Sequence, residues 1–157
     1  MQVWKLALAI VCGLCACEKS PAPSAAPSAS AAAVLQDFSK MDAKARLAVA
    51  AQPCYTDETC PPERTKALLA AEDASGRADL ERAVQRALTA QVQARLAKKH
   101  NTVVRVTAAE GAVKISGICN KFVLENFIST PGKHAALAGL RTVRCESKEL
   151  QAEAPIP

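Results

Sequence analysis

Aromatic side chains are nearly missing from this chain, which has one Trp, one Tyr and three Phe in 157 residues. Trp4 belongs to an apolar leader, so the body of the chain keeps only Phe38, Tyr55, Phe122 and Phe127. A core built on Ala, Val, Leu and Ile buries less area per residue and gains from covalent staples. Histidine is as scarce: His100 and His134 have no second ligand at metal spacing, and no C-x-x-C-H haem attachment occurs. A Gly-rich dinucleotide loop and a nucleophile elbow are also missing. In Phe127-Ile-Ser-Thr-Pro-Gly132-Lys133-His134, Phe and His stand where a phosphate loop needs Gly and Ser/Thr. The neighbouring carboxylates Asp57 and Glu58 read as solvated turn residues. The expectation is therefore no catalytic residue, no metal and no cofactor. A membrane-spanning run is lacking too, because the apolar stretch from Leu6 to Leu14 falls well short of the ~20 residues a bilayer requires.

What is present begins with that stretch. Met1 to Lys5 supplies a short basic n-region, residues 6–14 an apolar h-region, and Leu14-Cys15-Ala16-Cys17 follows at once. These four residues resemble the lipobox of bacterial lipoproteins, with Leu at −3, a small residue at −1 and Cys at +1. Cys12 and Cys15 follow Val11 and Leu14, both too bulky for the −1 position. The resemblance implies that residues 1–16 are an export signal and that Cys17 carries a diacylglycerol after cleavage. It also implies an N-terminal amine that is often acylated, and several acyl chains make a durable anchor. Cysteine arithmetic agrees. Of seven Cys, two leave with the signal, and assigning Cys17 to lipid leaves Cys54, Cys60, Cys119 and Cys145 as an even set. An oxidising compartment favours disulfides among them over a four-thiolate zinc site. Glu18 departs from the Asp that favours inner-membrane retention in many Gram-negative lipoproteins, so the periplasmic face of the outer membrane is the expected location.

Residues 17–33 then read as the lipidated Cys and an Ala/Pro/Ser tether without the apolar bulk to pack. Charge separates the remainder. Residues 34–76 hold 5 Lys/Arg against 7 Asp/Glu, residues 77–148 hold 13 against 5, and residues 149–157 add two acids. The basic excess calls for an anionic partner, in an envelope a lipid headgroup or another envelope protein rather than nucleic acid; the alternative is a merely solvated basic surface. Arg82, Arg86, Arg95, Lys98 and Lys99, all on one expected helix, are the candidate contacts.

Hydrophobic periodicity gives an α+β fold. Val34, Leu35, Phe38, Met41, Ala45 and Val49 predict a helix over 34–51, unbroken until Pro53. A second helix is expected from near Pro62 to about Asp73, with Ser75-Gly76 as punctuation. The clearest helix covers 79–99, where Leu80, Val84, Leu88, Val92 and Leu96 recur every fourth residue, with Asp79 as its cap. After Asn101 the period falls to two: Val104, Val106 and Ala108 share one face, Glu110-Gly111 turns the chain, and residues 112–117 return. A helix from Pro131 through Leu140 and a strand at 142–146 follow, residues 121–129 fit either helix or strand, and 149–157 read as a disordered tail.

Gly111-Ala-Val113-Lys-Ile115-Ser116-Gly117 and Gly139-Leu-Arg-Thr-Val143 resemble the two conserved turns of the BON domain, a small envelope module. The resemblance covers residues 78–148, and Pro131-Gly132, Cys119 and Cys145 depart from it. It implies N-terminal helices at 34–76 followed by a helix–strand–strand–helix–strand unit at 77–148, and attachment to membranes. It also implies neighbouring second and third strands, which would bring Cys119 beside Cys145 and leave Cys54 to close the short loop with Cys60. The reading is a binding or structural module on the membrane, with an accessory subunit of an envelope or secretion complex as the alternative and an envelope hydrolase as a third.

Overall fold

The computed structural model describes residues 36–57, 59–148 and 150–157. Cys17, the export signal and the tether lie outside them. The described residues from Gln36 to Pro157 form one compact unit with five α-helices and four strands. The helices are α1 (Ala43–Ala50), α2 (Pro62–Ala70), α3 (Ala74–His100), α4 (Lys121–Ser129) and α5 (Pro131–Leu137). The strands are β1 (Arg105–Ala109), β2 (Ala112–Ser116), β3 (Thr142–Glu146) and β4 (Gln151–Pro155), joined in the order β1-β2-β3-β4. β2 and β3 run parallel, and the outer pairs are antiparallel.

The fold is α+β, with N-terminal helices preceding the strands, in two layers. Val106, Val113, Ile115, Val143 and Cys145 face the helices and are buried. The opposite face carries the row Thr107, Lys114, Arg144 and Glu153, which the registers align. Two ion pairs lace it, Lys114–Glu146 at 2.7 Å and Arg144–Glu153 at 3.0 Å. The turn between β1 and β2 holds Glu110 at φ 53° and Gly111 at φ 75°, the left-handed pair that a two-residue hairpin needs. No described helix is long and apolar enough to cross a membrane.

Side-chain caps redraw several expected boundaries. The helix expected over 34–51 is broken: a 3-10 turn at Phe38–Lys40 ends, and Asp42 restarts the chain as α1 by accepting from the Ala45 N–H at 2.7 Å. The second helix stops at Ala70, and the third starts at Ala74 rather than 79, because Asp73 accepts from the N–H groups of Ser75 and Gly76. Ser75-Gly76 thus lies inside the first turn of α3, and a boundary at 76/77 would cut that helix. Residues on both sides of it share one core: Phe38, Tyr55 and Leu69 are buried with Leu80, Ile115 and Leu140. Arg46 fastens the first segment, bonding Glu72 at 2.8 Å and the carbonyls of Phe38 and Ala71.

Residues 121–129 are helical, capped by the Asn120 side chain on the Val123 N–H at 2.9 Å. The last helix ends at Leu137 instead of 140, since Gly139 at φ 82° turns the chain and the Leu140 N–H reaches back to the Ala135 carbonyl. The expected disordered tail is instead strand β4, with Ala152 and Ala154 opposite Cys145 and Val143. Its anchor is Ile156, buried and bonded through its N–H to the Arg141 carbonyl at 2.8 Å.

Candidate functional site

The registers place the start of β1, the end of β2, the end of β3 and the start of β4 together, through Arg105, Ser116, Glu146 and Gln151. The C-terminus of α3 and the N-terminus of α4 meet at this same end, where the Lys99 ammonium sits 3.9 Å from the centre of the Phe122 ring. Asn101 closes α3 in the left-handed conformation at φ 47°, a position that Asn tolerates, and turns the chain into the sheet. Gly117, at φ 99°, permits a tight crossing: a Cβ there would meet the Val103 carbonyl oxygen at 2.4 Å. Val103 itself is pushed outward and is 89% exposed.

Val103, Phe122 (51% exposed) and Leu150 (41% exposed) are three of the four exposed large hydrophobic residues among those described, and all three lie at this end. Cations surround them. Lys98 and Lys99 end α3, Lys121 begins α4 with only a loose 3.7 Å pairing to Glu125, and Lys148 sits in the β3–β4 turn beside Leu150. Between α3 and α4 a shallow cleft lined by Val92, Leu96, Val123 and Phe127 opens under Phe122, with Arg95 and His100 also on its wall. The Nε2 of His100 is buried there and has no partner among the described residues.

The five cations expected to act together do not form one patch. Arg95, Lys98 and Lys99 belong to the end just described, although Arg95 also donates to the Thr56 carbonyl. Arg82 is paired with Asp79, and Arg86 is exposed further back on α3. Nine residues separate Arg86 from Arg95, about 13 Å at the helical rise, and they point in different directions around the axis. Lys121, Lys148 and the three exposed apolar residues are additions the sequence reading did not make. Phe122 alone left a signal, as a bulky residue off the Val123–Phe127 stripe.

The structure joins Cys54 to Cys60 and Cys119 to Cys145, with Cα atoms 5.2 and 5.3 Å apart. Asp57, inside the first loop, accepts from both the hydroxyl and the N–H of Thr59, and these bonds hold its carboxyl below the ordinary range. Glu58 lies outside the described residues. No group of three His, Cys, Asp or Glu converges on a metal-sized site among the described residues.

A second polar centre was not foreseen. His134 is fully buried in α5, its Nδ1 2.9 Å from the Thr65 hydroxyl of α2 and its ring edge-on to Tyr55 at 5.1 Å. Burial lowers its pKa, with the Cys60 backbone and the Glu63 charge acting weakly the other way. A hydroxyl beside an imidazole is a nucleophile–base arrangement in form. Here Thr65 and His134 are both sealed from solvent, and the pair cross-links two helices. Compared with protein-family models, curated proteins and solved structures, the chain matches none.

Proposed function

We propose that this chain is a lipid-anchored envelope protein, exported by residues 1–16 and held through Cys17. Its α+β domain is a binding module that rests one end on an anionic membrane surface. The order from α3 to β3, helix–strand–strand–helix–helix–strand, supports the BON-like reading with its second helix split at Thr130-Pro131. The observation that carries the proposal is the joint placement of exposed Val103, Phe122 and Leu150 with Lys98, Lys99, Lys121 and Lys148. Apolar residues ringed by lysines suit the boundary between acyl chains and headgroups, where ammonium groups stay at the phosphates. Reach also favours it. The described chain begins beside Ala71 at the start of α3, and that helix of 27 residues is ~40 Å long. A tether over 18–33 can extend at most to ~55 Å, enough for the far end of α3 to meet the surface that holds Cys17. The outer membrane remains the proposed location. The proposed role is binding rather than catalysis.

Vesicle sedimentation of the Cys17→Ser chain tests the module without its anchor. Each lysine near an anionic surface contributes ~1 kcal/mol, so replacing Lys98, Lys99 and Lys121 with Gln should weaken binding roughly a hundredfold. Phe122→Ser should weaken it further, and Arg82→Gln with Arg86→Gln should leave it unchanged. Binding should also fall steeply from low to physiological salt, where screening acts over about 8–10 Å. Equal binding to neutral vesicles would refute the anionic surface, and binding to neither kind would leave the envelope-complex alternative.

A further inference from the structure

Arg64 stands against the Cys54–Cys60 disulfide. Its Nη1 lies 3.1 Å from the Cys60 sulfur and 3.5 Å from the Cys54 sulfur, and Nη2 is held by Gln52 Oε1 at 2.7 Å. A neutral disulfide gains little from a guanidinium, whereas a thiolate gains a charge-assisted hydrogen bond. Cys60 also stands two residues before Pro62, the first residue of α2, so the positive end of that helix favours the same anion. The second disulfide lacks such help: the Ile118 carbonyl oxygen approaches the Cys145 sulfur at 3.6 Å, which disfavours negative charge there.

We propose that Cys54–Cys60 is a thiol–disulfide exchange site, opened by a dithiol reductant under conditions that leave Cys119–Cys145 closed. The reductant's thiolate attacks the Cys54 sulfur, because Arg64 lies nearer the Cys60 sulfur and favours it as the leaving group. The S–S bond breaks, and its electron pair leaves on Cys60 as a thiolate held by Arg64. The reductant's second thiol then attacks its own sulfur in the mixed disulfide and expels Cys54. Two electrons pass from dithiol to protein; one of the dithiol's protons ends on Cys54 and the other goes to solvent, because Cys60 stays ionised. Tyr55 holds the opened loop in place through its N–H to Gln91 at 2.8 Å and its hydroxyl to the Ala50 carbonyl at 2.7 Å, which keeps the thiols near enough to reclose.

The test equilibrates the full chain in a graded series of reduced and oxidised dithiothreitol, traps free thiols by alkylation, and maps the labelled peptides. Cys54 and Cys60 should become labelled at a reductant ratio at least tenfold lower than Cys119 and Cys145, a gap of about 30 mV for a two-electron couple. Arg64→Met should make the first bridge about tenfold harder to reduce without moving the second, and Arg64→Lys should keep most of the wild-type ease. Simultaneous opening of the two bridges, or earlier opening of Cys119–Cys145, would overturn the proposal in the wild-type chain alone. An unchanged midpoint in Arg64→Met would overturn the role given to Arg64.

Discussion

Tyr55 and His134 meet inside the core: the Tyr55 hydroxyl donates to the Ala50 carbonyl and the His134 Nδ1 meets the Thr65 hydroxyl, while the His134 Nε2 has no partner among the described residues. Both are sealed from solvent, so both favour their neutral forms, and the consequences for stability have opposite pH signs. Burial pushes the Tyr55 pKa from 10.0 up to about 12, so the unfolded chain loses its phenolic proton first. Stability from this residue is complete below pH 10 and is lost as pH rises towards 12, up to about 2–3 kcal/mol. His134 has its pKa lowered from 6.5 by burial, so the unfolded chain binds a proton that the native chain refuses. That contribution is complete above pH 6.5 and declines as pH falls below it. Urea midpoints followed across pH should fall off at both ends, and Tyr55→Phe should remove the alkaline loss while leaving the acid one. An alkaline loss that persists in Tyr55→Phe would place its origin elsewhere.

Among the elements, β4 departs furthest from expectation. Gln-Ala-Glu-Ala-Pro has no β-branched residue and two charges or amides, a composition poor in strand propensity. It pairs because β3 would otherwise present an unpaired edge directly over the core, and because Ile156 docks beyond it against α5, its Cγ2 3.7 Å from where a Cβ on Gly132 would stand. The strand is held from its end. Ile156→Ala should therefore cost about 2–4 kcal/mol, like other buried aliphatic truncations, and should raise amide exchange along residues 151–155. A loss below ~0.5 kcal/mol in urea unfolding would show that the C-terminal residues contribute little to the fold.

On the scale of the whole molecule, polar and apolar exposure are unevenly shared. The open face of the sheet is ion-paired through Lys114–Glu146 and Arg144–Glu153, whereas the end carrying Val103, Phe122 and Leu150 combines bare apolar groups with loosely paired lysines. A surface contact of that kind is weak alone and becomes strong when a tether raises its effective concentration. Cys17→Ser should abolish labelling by a fatty-acid analogue. It should also move the protein from the membrane to the soluble fraction at physiological salt, while low salt retains part of it through the lysine end. Continued labelling of the variant would refute Cys17 as the lipidated residue.

Much of this architecture could be read from residue spacing. The four-residue recurrence from Leu80 to Leu96, the Glu110-Gly111 turn and the alternation on either side of it are local signals, since periodicity and left-handed turn positions depend on neighbours along the chain. The helix ends were less legible, because Asp42 and Asp73 compete with other polar residues for the capping role and only the folded backbone selects among them. The candidate end was the least legible part. Val103, Phe122 and Leu150 are separated by 19 and 28 residues and become one surface only when three strands register and α4 returns to α3. The same holds for Thr65 beside His134, 69 residues apart and on different helices. The sequence by itself determined the periodic elements and the short-range turns, where the energies are local. Tertiary structure alone decided which cations gather, which polar groups are sealed and that a weak strand pairs, because burial and charge proximity are properties of the assembled core.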